Sequence, residues 1–149
     1  MTLQQIKEKS ESLIGNAQSF LRRDGALKTV IFTVQGDKMQ GPVTVSSDES
    51  LNTVKDLMAE LAQVSDALIV IMNAHLKWYD KKDVIPKSIK DEPDSFKSLT
   101  TIVHTKDIKT SLRLLNYQQD KEGNYYWWDE GWKDTEALKG NFGNPFMGL

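Results

Sequence analysis

The sequence predicts a single α+β domain: a mostly antiparallel sheet of five or six strands with two helices packed on one face, in the order α-β-β-α-β-β-β-β. Three observations lead there. Two segments place apolar residues at helical spacing, several short segments are β-branched or alternating and bounded by turn residues, and one continuous apolar run follows the second helix.

In the first segment, Leu3, Ile6, Leu13, Ile14, Ala17, Phe20 and Leu21 fall near helical spacing, with Thr2 and Gln5 forming a capping box at its start. Arg22 and Arg23 suit the negative end of the helix dipole, and Gly25 supplies a left-handed exit, so the helix ends in "RRDG". "LKTVIFTV" (27–34) and "PVTVSS" read as two strands joined by a hairpin through "QGDKMQG". "SSDES" offers N-cap residues for a second helix, whose Leu51, Val54, Leu57, Met58, Leu61 and Val64 form one apolar face.

"ALIVIMNAHLKWY" then reads as a central strand, apolar on both faces before it emerges into alternation. The stretch 80–95, dense in charge and proline, predicts a long connector, a mobile link or a second contact region. "FKSLTTIVHT" and "TSLRLLNYQQ" pair through the polar "KDIK" turn, and "DKEGN" turns the chain into "YYWWDE". Residues 1–140 form one domain on this reading, and 141–149 a C-terminal tail.

At 149 residues and 39% hydrophobic content the chain is long and apolar enough for one core without metals or disulfides. A formal charge of −2 gives no basic field for a phosphate backbone, so no nucleic-acid partner is expected. Zero cysteines remove disulfides, thiolate nucleophiles and cysteine-bearing metal sites, in keeping with a reducing cytoplasm. The charged N-terminus lacks a signal-peptide core, and "ALIVIM" is too short to span a bilayer, so a cytoplasmic protein without a membrane partner is expected.

Catalytic signatures are sparse. No serine sits in a nucleophile elbow, and the glycines at 36 and 41 bracket a hairpin instead of opening a helix on a phosphate. His75 and His104 stand in predicted strands without further ligands at metal spacing, so no metal or cofactor is expected. The acidic pairs Asp48–Glu49 and Asp129–Glu130 read as solvated faces or helix starts, since catalytic carboxylates are brought together by a fold.

"NYYWWDEGW" is the one concentrated feature. In a strand Tyr125, Trp127 and Asp129 share one face, and Tyr126, Trp128 and Glu130 the other. One face alone belongs to the core, which leaves part of the aromatic area, with Trp132, as a contact surface for a partner. The neighbouring carboxylates favour a basic protein partner over nucleic acid. The competing reading is that these rings close the sheet over its own core. In the tail, Phe142, Phe146, Met147 and Leu149 are too apolar for a disordered end and dock on this chain or another.

Two segments, "FLRRDGALKTVIF" (20–32) and "ALIVIMNAHLKWY" (67–79), resemble a group of small bacterial and bacteriophage α/β proteins of no established activity. The resemblance implies a bacterial or phage origin and assigns no functional residue. The sequence thus points to a non-catalytic protein-binding or adaptor protein, or a homo-oligomer, using Tyr125, Tyr126, Trp127, Trp128, Asp129, Glu130 and Trp132. The alternative is a small-molecule-binding protein or enzyme with a pocket between the sheet and the 80–95 loop, using His75 or His104.

Overall fold

A computed structural model describes residues 1–46, 51–77, 93–135 and 143–148. Helix α1 spans Leu3–Asp24, and Thr2 caps it: its hydroxyl accepts from the Gln5 amide while the Gln5 side chain accepts from the Thr2 amide. The helix ends at Gly25, whose φ of 70° is the left-handed conformation glycine adopts without steric cost, and whose amide closes on Leu21. Strands β1 (Val30–Gln35) and β2 (Lys38–Thr44) form the hairpin, followed by α2 (Leu51–Ala62). Strands β3 (Ala67–Leu76), β4 (Phe96–Thr105), β5 (Thr110–Gln119) and β6 (Tyr125–Thr135) complete the sheet. The expected α+β class and element order are those of the structure, with six strands.

The spatial order is β2-β1-β3-β4-β5-β6, and every neighbouring pair is antiparallel. Because β1 lies between β2 and β3, the chain returns across β1 through α2 before it enters the centre of the sheet. The expected N-cap serines and carboxylates at 47–50 lie outside the described residues, as do 80–92 of the expected connector and 78–79 at the end of the expected central strand.

The placement of the helices corrects the expectation that both pack on one face. Ala67, Ile69 and Ile71 of β3 share a core with Ile6, Ile14 and Ala17 of α1. The intervening Leu68, Val70 and Met72 share another with Val54, Met58 and Ala62 of α2. Successive side chains of a strand point to opposite faces, so the helices cover opposite sides. The reason is the composition of β3: all six residues from Ala67 to Met72 are buried, and burial on both faces needs a cover on both.

Beyond Asn144 a short 3-10 turn, Pro145–Gly148, sets Phe146 into the α2-side core. Part of the apolar tail therefore docks on its own chain; Phe142 and Leu149 lie outside the described residues. Among the described residues no helix is long and apolar enough to cross a membrane. The two edges of the sheet differ. Strand β2 has a register irregularity against β1 and contains Gly41 and Pro42, whereas β6 runs eleven residues with one irregularity opposite Leu114 and Leu115.

Candidate functional site: the aromatic edge strand

Among the described residues strand β6 is an edge of the sheet and pairs with β5 alone, so its other side carries no strand of the sheet. Its pairing runs Tyr117 with Trp127, Asn116 with Trp128, Leu115 with Asp129, then Leu114 with Gly131, which leaves Glu130 as the extra residue of a bulge. Gly131 adopts φ 70°, the left-handed turn that such a bulge uses. Beyond it the alternation is reset, which is why Trp132 returns to the α1 side with Tyr125 and Trp127.

The α1-side rings form a packed group. Trp127 lies 4.9 Å from Tyr117, centroid to centroid, and stacks on Tyr125 at 5.7 Å and 16°. The Arg22 guanidinium stands 5.5 Å over Trp127, and the Tyr125 hydroxyl donates to the Leu21 carbonyl at 3.2 Å. Tyr117 donates to Asn73 Oδ1 at 2.6 Å. Trp132 donates its indole N–H to Glu11 at 2.8 Å, and Lys7 lies 5.6 Å over its ring. For Tyr125, Trp127 and Trp132 the covering reading holds in part: all three are half-buried beneath α1.

On the other face Tyr126 is 58% exposed and Trp128 40%. The Tyr126 hydroxyl donates to Asp120 at 3.1 Å, and Trp128 meets Phe96 with centroids 6.1 Å apart. Two large rings two residues apart on one face of an edge strand thus remain open to water.

The carboxylates are already engaged. Asp129 pairs with Arg113 and accepts from the Gly131 amide. Burial pushes the Asp129 carboxyl up, but the Gly131 amide and the Arg113 guanidinium outweigh it and hold it below the usual carboxylate range. Glu130 accepts from the Asn116 amide at 2.8 Å and lies 3.7 Å from Lys133. Attraction of a basic partner by these two groups is therefore largely spent inside the molecule, and the open rings are what the strand offers.

The histidines do not converge. His104 pairs with Leu68 in register and His75 with Lys97, which puts them seven positions apart along β3, about 23 Å at the rise of a strand. They also face opposite sides: His104 shares the Leu68 side, and His75, an odd number of residues further on, the other. His104 is fully buried, its Nδ1 3.1 Å from the Thr110 hydroxyl, and burial lowers its pKa to about 4. One cleft cannot use both imidazoles. Among the described residues no three His, Asp or Glu side chains gather as a metal site would require.

Sequence reasoning missed that Glu11, Arg22, Asn73 and Arg113 hold the aromatic strand in place, because each acts on it across tens of residues; Arg22 stood out only as a basic residue at the end of α1. In comparisons with known proteins, no family model, no curated protein and no solved structure matches the chain.

Proposed function

We propose that this is a non-catalytic protein-binding or adaptor protein, cytoplasmic and of bacterial or phage origin, that receives a partner chain on β6. The partner lays an extended segment along the free outer edge, where main-chain hydrogen bonds supply affinity and the open rings of Tyr126 and Trp128 supply selectivity. The observation that carries this reading is the exposure of those two rings on a strand that, among the described residues, is an edge of the sheet. Tyr125, Trp127 and Trp132 act as its support, fixing the strand against α1.

The test is co-purification from the native host with wild type and with a Tyr126→Ser/Trp128→Ser double variant, each shown by its melting curve to be folded. Loss of a specific protein from the variant alone is expected. Equal recovery by both proteins rejects the reading. The mass of the purified chain in solution, measured on the same two proteins, tells whether the partner is a second copy.

A further inference from the structure

At the opposite end of β3 from His75, the C-terminus of α2, the β4–β5 turn and the 3-10 turn enclose an open cleft of about 540 Å³, within the size of small-molecule sites. Its apolar walls are Ala62, Val64, Ile108 and Phe146. Val64 is 64% exposed and Ile108 41%, two of the six large apolar side chains left open among the described residues. Three features mark this cleft beyond its shape.

The first is a polar group without a partner. Ser65 lines the cleft and is 8% exposed, and its hydroxyl oxygen, itself covered, makes no hydrogen bond, a state that buried polar atoms rarely keep. The second is strain. Ile108 occupies φ 62° in the β4–β5 turn, a left-handed position where a β-branched residue is a true outlier and where glycine or asparagine would sit at ease. Strain of this kind gathers at functional sites, and here it holds an isoleucine at the mouth of the cleft.

The third is the arrangement of charge. Asp66 lines the cleft with its carboxylate anchored by the Gly36 amide at 2.7 Å, and that hydrogen bond keeps the carboxyl below its usual range. Its cationic neighbour Lys106 is 3.7 Å away on a long, 71% exposed side chain. Helix α2 also ends here with no basic residue in its last turn to offset the negative end of its dipole. The Asp66 carboxylate is fixed, and of the two cations that act on it the Met1 ammonium is held at the Gly36 carbonyl at 3.1 Å while Lys106 is the movable one.

We infer that this cleft is a binding site for a small organic cation, a primary ammonium on a short apolar body. The apolar body lies against Phe146, Val64 and Ile108. The ammonium takes the place of Lys106 on Asp66, and the covered Ser65 hydroxyl acquires the partner it lacks by turning about its Cα–Cβ bond into the cleft. The site is independent of β6 and does not rest on the binding role proposed for that strand.

Three probes with one apolar body separate the chemistry: n-hexylammonium, 1-hexanol and hexanoate, titrated into the full chain at equal ionic strength while backbone amide resonances are followed. Hexylammonium is expected to give saturable shifts at Ser65, Asp66 and Ile108, with an affinity at least about fivefold above hexanol, and hexanoate none. Lys106→Met, which keeps the stem and removes the competing charge, is expected to tighten hexylammonium binding by about threefold. Asp66→Asn, which keeps an acceptor for Gly36, is expected to weaken it by at least about fivefold. The same spectra show whether each variant is folded. Absence of saturable shifts with hexylammonium, hexanoate binding as well as hexylammonium, or an affinity unmoved by Lys106→Met overturns the inference.

Discussion

The indole of Trp132 donates to the carboxylate of Glu11 at 2.8 Å, across 121 residues of sequence, and so fastens the last strand to the first helix. Glu11 is held in turn by Arg113 at 3.3 Å, and Arg113 pairs with Asp129, so one guanidinium joins α1, β5 and β6. Trp132→Phe keeps a ring but deletes the donor, and urea unfolding is expected to show a loss of about 1 kcal/mol. A loss below the error of the measurement would mean that the bond is exchanged for water without cost.

The two faces of β6 carry different weight. Trp127→Ala removes a ring packed on Tyr117, Tyr125 and Arg22 and is expected to cost about 3 kcal/mol. Trp128→Ala removes a 40% exposed ring and is expected to cost no more than about 1 kcal/mol. Chemical denaturation of both single variants checks the order; equal losses would place Trp128 in the core.

His104 makes stability depend on pH. Its pKa is lowered from 6.5 to about 4 by burial, so the unfolded chain binds the extra proton between those values. The stabilisation from keeping this imidazole neutral is complete above pH 6.5 and is lost as the pH falls towards 4, by up to roughly 3 kcal/mol. Unfolding free energies for wild type and His104→Leu across that range are expected to differ in slope by up to one proton.

The opposite placement of the helices predicts additivity. Ile14→Ala and Met58→Ala each empty a fully packed position, at about 2–4 kcal/mol apiece, but in cores separated by the sheet. The double variant is expected to lose the sum of the two within about 0.5 kcal/mol. A larger coupling would put both residues in one core.

Left-handed positions separate strain from crowding. A Cβ on Gly131 would meet only Arg113 Nη1, at an ordinary 4.0 Å, so Gly131→Ala is expected to cost about 1 kcal/mol from its φ of 70° alone. Gly41, at φ 128°, would bring a Cβ within 3.0 Å of the Ile31 carbonyl oxygen, so Gly41→Ala is expected to cost clearly more. Ile108→Gly should act in reverse, raising stability by about 0.5–1 kcal/mol. Thermal unfolding of the three variants checks the order.

Much of this fold is legible from local pattern. Thr2, Gln5 and Gly25 mark the ends of α1 through hydrogen bonds made within a few residues, and the strands follow from β-branched runs between turn residues. The side on which each helix lies is a matter of long-range packing, yet one clue was present: the unbroken run Ala67–Met72 is apolar on both faces, which argues for a cover on each. In β6 the alternation gave the two ring faces, but the bulge at Glu130 that returns Trp132 to the α1 side depends on pairing with Leu114 and Leu115 and has no local signature beyond Gly131. The cleft around Ser65 left a fainter trace, an isoleucine inside the polar turn "KDIK", whose strain shows only once its φ is known.

The unequal edges limit how such molecules could accumulate side by side. At β2 the Gly41–Pro42 step lacks one amide hydrogen and interrupts a straight hydrogen-bonding rail, whereas β6 offers a longer run of backbone. A second sheet that joined along β6 would consume the better rail of both copies and leave only irregular margins facing outward. Edge-wise stacking would thus stop at a closed, two-fold pair and not continue into a fibre.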